Sequence, residues 1–203
     1  DTVVIISSVS GNTKEVVDAI KKIKNEVGAT VISFVDAKEA ILLDLADYKI
    51  SYPINEQLKF FMVADRFMFN NGEFEDYEDM YAEFDKYLAQ DLVEVEKQAE
   101  PFAIEFAKKH WNDEMHYFVG AGNQWGATYS YAMCYWEEQL WLKTKSITSN
   151  EFFHGMFEIV TKETPVTIYI GEDAQRRLSE RVANFIPRIC ANYTIIDSKD
   201  YEL

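Results

Sequence analysis

The sequence predicts an α/β protein built from parallel sheets flanked by helices, on two observations. Short runs rich in β-branched residues, such as residues 3–7, are followed by turn residues and then by a helical pattern. That pattern places four apolar residues on one face: Val16, Val17, Ile20 and Ile23. The same order of strand, loop and helix returns at residues 116–119. Helices between successive strands are typical of crossover connections in a parallel sheet.

The predicted elements fall into two α/β halves joined by a helical segment, which runs from Asn55 to about Lys109. We therefore expect a first unit with its helical bridge at residues 1–90 and a second unit at residues 91–203. The predicted strands lie at residues 3–7, 30–35, 48–52, 116–119, 165–170 and 193–197, and the helices of the second half at residues 124–143 and 173–185.

The composition is that of a globular chain with a strongly acidic balance. Its 203 residues are 48% hydrophobic, which is enough to bury one sizeable core or two small ones. Thirty-five acidic against twenty basic residues give a formal net charge of −15, and this charge repels nucleic-acid backbones. We therefore expect no nucleic-acid partner.

Targeting patterns and cysteine usage both favour the cytoplasm. The sequence contains neither the pattern of a secretory signal nor the roughly 20 apolar residues of a membrane span. Cys134 and Cys190 have no CxxC spacing, which argues against a disulfide framework or a zinc site. We expect a soluble cytoplasmic protein with no membrane partner.

Both ends of the chain favour a longer protein. The first residues run straight into an apolar strand with no Met, and the last predicted strand ends shortly before Leu203. No helix is left to cover that side of the last sheet. We therefore expect truncation at both ends.

A hydroxyl-rich loop, Ser8-Val9-Ser10-Gly11-Asn12-Thr13-Lys14-Glu15, joins the first predicted strand to its helix. Hydroxyls and free backbone N–H groups at a helix N-terminus are what a phosphate monoester needs from a site without a basic cluster. Alternatively, Ser10 or Thr13 is a plain helix cap and Gly11 only eases the turn. The residues themselves leave both interpretations open.

A second loop, with Gly120 and Gly122, follows the first predicted strand of the second half. A dinucleotide-binding fingerprint would need a third glycine, but Gly126 falls one position late and no acidic ribose partner is placed. We therefore expect no nicotinamide cofactor. These glycines either let the backbone approach a ligand or only make the turn.

Two further segments carry ionisable side chains in aromatic surroundings. Glu137 and Glu138 lie near the end of an apolar predicted helix, where a carboxylate beside aromatic rings would lose solvation; the alternative is that both are surface charges. His154, in Glu151-Phe152-Phe153-His154-Gly155, is the one histidine of three in an aromatic-flanked turn. It is either structural or catalytic.

The two loops resemble those of the sugar isomerase (SIS) family. The hydroxyl loop is similar to the Ser-x-Ser-Gly-x-Thr signature of that family, which implies that Ser8, Ser10 and Thr13 bind the phosphate of a phosphosugar. A Gly-x-Gly loop opens the second SIS unit, which implies that the backbone at Gly120 and Gly122 approaches the sugar. The implied fold is flavodoxin-like SIS units in tandem.

The histidine segment resembles the Glu-aromatic-aromatic-His-Gly motif of SIS enzymes that act on amino-sugar phosphates. In the isomerase domain of glucosamine-6-phosphate synthase, a Glu sixteen residues before that His moves a proton between C1 and C2. This spacing implies Glu138, whereas counting forward from the Gly-x-Gly loop implies Glu137; we favour Glu138 with His154. In related enzymes the His comes from a neighbouring subunit, which implies a homodimer or higher homo-oligomer with a shared active site.

The residues before the acid resemble the fructosamine 6-phosphate deglycase branch. The synthase has lysines there, whereas this chain reads Tyr135-Trp136. The resemblance implies a deglycase of 6-phosphorylated fructosamines or glucosamines, which releases a sugar 6-phosphate and a free amino acid and needs no metal and no cofactor. The alternatives are another phosphosugar isomerase or deaminase, a sugar-phosphate sensor, and a non-catalytic subunit.

Overall fold

The β-branched runs of the sequence form two separate parallel sheets. The computed structural model describes residues 2–51 and 56–201. The chain divides into two units, Asp1–Asp85 and Lys86–Leu203, each with one sheet. The predicted α/β class is confirmed. The predicted boundary at residues 90 and 91 lies slightly beyond this division, in the same helical stretch.

The first unit contains three parallel strands connected by helices. Its elements, in chain order, are β1 (Val3–Ser8), α1 (Lys14–Glu26), β2 (Thr30–Val35), α2 (Ile41–Leu45), β3 (Tyr48–Ile50), α3 (Glu56–Asn70) and α4 (Tyr77–Glu83). The sheet order is β1-β2-β3. The sequence extends the third strand to Tyr52 and begins the helical segment at Asn55; both of these ends lie outside the described residues.

Helix α1 packs on this sheet because its apolar residues recur at helical spacing. Val17 and Ile20 are buried. Strands β1 and β2 pair from Val3 opposite Thr30 to Ser8 opposite Val35, so Ser8 lies at the carboxyl edge of the sheet. The buried core of the unit consists of Val17, Ile20, Val31, Val35, Leu42, Leu43 and Ala46.

Helix α3 contacts the sheet through an aromatic edge and leaves other apolar side chains in solvent. The rings of Phe60 and Phe34 lie 6.3 Å apart in an edge-to-face arrangement. Phe61, Met62 and Phe67 are exposed. In the single chain these three side chains are therefore not part of a core.

The second unit contains four parallel strands. A π-helical turn at Phe84–Leu88 connects α4 to α5. The elements from there on are α5 (Ala89–His110), β4 (His116–Gly120), α6 (Gln124–Ser130), a π-helix (Tyr131–Gln139), β5 (Thr144–Thr148), a 3-10 turn (Glu151–His154), α7 (Met156–Ile159), β6 (Val166–Ile170), α8 (Arg176–Phe185), a 3-10 turn (Ile186–Arg188), β7 (Tyr193–Asp197) and a 3-10 turn (Ser198–Tyr201).

The strand order of the second sheet is β5-β4-β6-β7. The chain leaves β4 towards β5 on one side and leaves β6 towards β7 on the other. Ligands of open α/β sheets bind where such a reversal occurs, at the carboxyl ends of the strands. The core under this sheet consists of Val119, Phe152, Met156, Val160, Val166, Ile168, Ile170, Val182, Ile186 and Cys190.

Two predicted boundaries in the second unit are wrong. The helix predicted to run to residue 143 ends at Gln139, and strand β5, which was not predicted, follows it. Strand β5 lies at a sheet edge and carries polar residues, so its sequence lacks the apolar pattern of a strand. The helix predicted from residue 173 begins at Arg176. Asp173 instead holds a turn, because its carboxylate accepts a hydrogen bond from the Gln175 N–H at 2.8 Å.

The structure carries neither a disulfide nor a candidate membrane helix within the ranges it describes. Cys134 and Cys190 are free thiols, and Cys190 is buried. No described helix is both long enough and apolar enough to cross a bilayer.

Candidate active site

The hydroxyl loop forms a tight turn at the carboxyl end of β1. The side-chain oxygens of Ser8 and Thr13 lie 3.3 Å apart. Ser8 Oγ also accepts a hydrogen bond from the Gly11 N–H at 3.1 Å, and Ser10 Oγ accepts one from the Asn12 N–H at 3.2 Å. The structure therefore brings the hydroxyls of Ser8 and Thr13 together and points the Ser10 hydroxyl at the next turn of the loop.

The N-terminus of α1 opens onto this loop with free donors. Its first helical hydrogen bond runs from the Val17 N–H to the Thr13 carbonyl at 3.0 Å. The N–H groups of Lys14, Glu15 and Val16 consequently have no partner within the helix. Thr13 occupies the N-cap position but makes no side-chain capping bond. Free N–H groups and the positive end of the helix dipole are the elements of an anion site.

Gly11 allows the loop to lie against the rest of the unit. Its φ of 63° is left-handed, and a Cβ at this position would lie 2.5 Å from Ala40 Cβ and 2.6 Å from Val35 Cγ1. Asn12 fixes the other side, since its side-chain oxygen accepts a hydrogen bond from the Ile41 N–H at 3.0 Å. The loop is therefore positioned from both sides before any ligand binds.

The Gly120 and Gly122 loop lies where the order of the second sheet reverses. Gly122 has a φ of 56°, and a Cβ there would lie 2.1 Å from the Asp173 carboxylate. That carboxylate accepts a hydrogen bond from the Asn123 N–H at 2.9 Å. A Cβ at Gly120 would likewise lie 2.2 Å from the Thr128 hydroxyl oxygen. Both glycines therefore have a packing role, in a place that favours ligand binding.

The candidate carboxylates lie on a π-helix, which the sequence did not predict. π-Helical segments are rare and are frequent at functional sites. Trp136 is buried against Phe118, whereas Glu137 and Glu138 are both exposed in the single chain, so the expected loss of solvation is not seen there. Glu137 accepts a hydrogen bond from the Thr144 hydroxyl at 2.6 Å.

The histidine motif is anchored by its first aromatic residue. Phe152 is fully buried, whereas His154 is exposed at the end of the 3-10 turn. Gly155 has a φ of 145°, a conformation that other residues rarely adopt. Glu151 accepts a hydrogen bond from the Thr148 hydroxyl at 2.9 Å. The turn is therefore fixed to the core while the imidazole faces solvent.

The structure does not pair the two candidate catalytic side chains in one chain. Glu138 and His154 form no hydrogen bond or ion pair with each other among the described residues. Both are exposed and both belong to the second unit.

A buried histidine pair was not predicted from the sequence. His110 and His116 are buried, and each Nδ1 lies within hydrogen-bond distance of the same oxygen of Asp113, at 2.7 and 2.9 Å. A carboxylate only accepts, so both rings donate from Nδ1, and the Thr167 hydroxyl donates to His116 Nε2 at 2.8 Å. The sequence feature that could have indicated this pair is its spacing, with one His three residues before Asp113 and another three residues after it.

This His–Asp–His network lies behind the π-helix. The ring of His116 is 4.7 Å from that of Trp136. Burial lowers the pKa of His116 to about 4, although Asp113 opposes the shift. The three side chains place potential metal ligands within 4.8 Å of one another. Two neutral rings donating to one carboxylate explain the short contacts at Asp113, whereas the buried Nε2 of His110 has no hydrogen-bond partner among the described residues. The expectation of no metal stays a prediction.

Comparisons with known proteins connect this geometry to phosphosugar enzymes. The chain is 29% identical to the fructosamine deglycase FrlB of Bacillus subtilis over 216 residues, which cover 99% of the chain and 63% of that protein. The chain is therefore similar to a fructosamine deglycase along nearly its whole length. It is also 34% identical over 83 residues to the fructoselysine 6-phosphate deglycase of Escherichia coli K12, a match covering 41% of the chain and 24% of that enzyme. No protein-family model matches.

A solved structure confirms the predicted fold relationship. The crystal structure of a candidate phosphosugar isomerase from Bacillus subtilis matches with a TM-score of 0.84 and 28% identity, covering 97% of this chain and 62% of that one. The resemblance to the SIS family and to its deglycases, stated from the motifs, is confirmed. The chain spans less than two thirds of the length of the deglycase FrlB and of this solved structure.

Proposed function

We propose that this chain is part of a deglycase of 6-phosphorylated fructosamines or glucosamines, which releases a sugar 6-phosphate and a free amino acid. The observation that carries the proposal is its relation to a fructosamine deglycase along 99% of the chain. The proposal places the enzyme in the cytoplasm and assigns it no metal or organic cofactor.

The substrate phosphate binds to the hydroxyl loop of the first unit in this proposal. Ser8, Ser10 and Thr13 supply hydroxyl donors, and the free N–H groups at the start of α1 supply backbone donors. Charge-assisted hydrogen bonds of this kind are short and strong. A preformed loop also lowers the ordering entropy lost on binding.

Glu138 carries the proton in the proposed reaction. As a base it takes a proton from C1 of the open-chain ketoamine, and the electron pair forms the C1–C2 double bond. The π pair of the C2 carbonyl moves to its oxygen, which takes up a proton, and the product is an enaminol. Returning a proton to C2 breaks the C1–C2 double bond, the nitrogen lone pair forms a C1–N double bond, and loss of the N–H proton gives an imine at C1. Water adds to that carbon, the C–N bond breaks, and the amine leaves with a proton. General acid–base catalysis of this kind contributes about 10²–10⁴-fold.

The contacts of the two adjacent carboxylates support the choice of Glu138 over Glu137. Glu137 is tied to strand β5 through the Thr144 hydroxyl at 2.6 Å. Glu138 has no hydrogen-bond partner among the described residues and remains available to a substrate. Glu137 is kept as the alternative.

His154 opens the sugar ring or protonates the leaving group, and we propose that it does so in the active site of a neighbouring subunit. Its exposure on an anchored turn supports this role. A homodimer or higher homo-oligomer follows from it. Mixing the Glu138→Gln and His154→Ala variants tests the assignment, because subunit exchange should restore activity that neither variant has. No recovery after verified exchange would contradict the shared site.

The decisive test of the function is product release by the full-length protein. A panel of 6-phosphorylated fructosamines and glucosamines is supplied. Glucose 6-phosphate, the product from the fructosamines, is measured with a coupled dehydrogenase, and fructose 6-phosphate, the product from the glucosamines, is measured with the same dehydrogenase after an added isomerase. Release from at least one conjugate supports the deglycase. Binding of the conjugates without release would overturn it and leave a sugar-phosphate sensor, whereas interconversion of free phosphosugars alone would assign an isomerase.

A further inference from the structure

The arginines of this acidic chain are concentrated in one place. The chain contains five arginines, and Arg176, Arg177, Arg181 and Arg188 lie on α8 and the 3-10 turn after it. The remaining one, Arg66, lies in the first unit. In a chain with a net charge of −15, such a local positive surface is a candidate for binding an anion.

One of the four arginines is already neutralised within the fold. Arg176 forms a forked pair with the Asp197 carboxylate, with one nitrogen–oxygen distance of 2.8 Å, and a second ion pair with Glu180 at 2.8 Å. Its guanidinium also donates to the Gly171 carbonyl. Arg176 therefore closes the loop between β6 and α8, and its charge is not available to an external anion.

The other three arginines line a groove and have no carboxylate partner among the described residues. The arginine groove is formed by Phe153, Arg177, Glu180, Arg181, Asn184, Phe185 and Arg188, with a volume of about 560 Å³. Arg177, Arg181 and Arg188 are exposed, and Glu180 is paired with Arg176. The groove thus holds three unpaired positive charges.

Aromatic rings of the groove lie against two of its three cations. The Arg181 guanidinium lies 4.1 Å from the centroid of the Phe153 ring, and that of Arg188 lies 6.0 Å from the Phe185 ring. The two rings pack edge to face at 5.4 Å. Stacking orients the planar fork of arginine, which matches the two oxygens of a carboxylate. Orientation before binding lowers the entropy lost on binding.

The groove adjoins the proposed catalytic histidine along the chain. Phe153 directly precedes His154, and consecutive Cα atoms are about 3.8 Å apart. Both residues come after β5, on the side where strands of a parallel sheet present ligand sites. The groove therefore begins one residue before His154 along the chain.

We propose that the arginine groove binds the carboxylate of the amine moiety of the substrate. This inference rests on the proposed function. A fructosamine made from an amino acid carries that carboxylate on the leaving amine, at the opposite end of the molecule from the 6-phosphate. The groove then selects conjugates of amino acids over conjugates of simple amines, through Arg181 and the neighbouring Arg177.

The test compares two conjugates of similar size, 6-phosphofructosyl-glycine and 6-phosphofructosyl-ethanolamine. Hydrogen bonds to a charged group are worth about 10- to 100-fold in affinity. Wild type should therefore favour the glycine conjugate by about that factor in kcat/KM. Arg181→Gln should remove most of this preference through KM and leave turnover of the ethanolamine conjugate unchanged; Arg181→Lys should retain part of it.

Arg66→Gln is the matched control, because the Arg66 guanidinium also lies over an aromatic ring, at 5.4 Å from Phe69, but outside the groove. It should keep the wild-type preference. Equal kcat/KM for both conjugates in the wild type would overturn the inference and leave the deglycase standing. An equal loss of kcat/KM for both conjugates in Arg181→Gln would also overturn it. So would an altered oligomeric state of that variant in light scattering.

A binding measurement separates this inference from the proposed function. Calorimetric titration of Glu138→Gln with both conjugates needs no turnover. A preference for the glycine conjugate that disappears in the double variant with Arg181→Gln supports the groove, even if the wild type releases no product and the deglycase fails. Equal affinities for the two conjugates would overturn the groove assignment.

Discussion

The buried His116 makes the stability of the fold depend on pH in a calculable way. Its ring is fully buried, and burial holds its pKa at about 4, against an ordinary value of 6.5. Asp113 acts in the opposite direction, whereas His110 and Lys109 lower the pKa further. The unfolded chain consequently binds a proton that the folded chain excludes throughout the window between these two values.

Proton linkage determines the sign and the size of the effect. Above pH 6.5 the imidazole is neutral in both states, so its contribution to stability is complete. As the pH falls below 6.5, only the unfolded state gains the proton, and the free energy of unfolding decreases until the pH reaches the folded pKa. Between pH 7.5 and pH 5.0 the loss from this one residue is about 2 kcal/mol.

Urea unfolding at several pH values measures this dependence. His116→Asn keeps a donor for Asp113 and removes the titrating ring, so its stability should fall by about 2 kcal/mol less than that of the wild type over the same interval. His154→Asn, which removes an exposed imidazole, is the control and should follow the wild type. Identical pH dependence in wild type and His116→Asn would refute the reasoning.

Two further substitutions test the packing of the site. Gly11→Ala and Gly28→Ala both place a side chain at a left-handed φ, of 63° and 68°, but only the Cβ at Gly11 meets other atoms. Urea unfolding should show a loss in the free energy of unfolding of about 1–2 kcal/mol for Gly28→Ala and a larger loss for Gly11→Ala. Equal losses would contradict the close approach at Gly11. Phe152→Ala should cost about 3–5 kcal/mol because the ring is fully buried, whereas a loss below about 1 kcal/mol in the same assay would show that the turn before His154 is anchored elsewhere.

The sequence predicted the parts of the fold that local chemistry determines. The strand at Tyr193–Asp197 is found at its predicted bounds, and the hydroxyl loop joins β1 to α1 as expected. In both places β-branched residues, turn residues and helical periodicity agree with the final structure.

Features that depend on contacts between distant residues could not be predicted from the sequence. The π-helix at Tyr131–Gln139 carries Trp136 into the core beside Phe118, and Glu137 reaches Thr144 on the next strand. Strand β5 is an edge strand whose polar residues resemble a loop.

The charged and titratable clusters were hidden for the same reason. His110 and His116 lie beside a polar stretch in the sequence, yet the fold buries both around one carboxylate. The arginine groove needs Phe153 and α8 side by side, and these are more than twenty residues apart along the chain. Neither arrangement can be inferred from local periodicity.

The central claim is that Glu138 moves the proton between C1 and C2. The most direct measurement is the rate at which Glu138→Gln and Glu137→Gln release glucose 6-phosphate from the conjugate that the wild type turns over best. We expect a loss of about 10²-fold or more in kcat for Glu138→Gln, and a rate within a few-fold of wild type for Glu137→Gln. Full activity in Glu138→Gln, with loss only in Glu137→Gln, would contradict it and move the proton transfer to the neighbouring carboxylate.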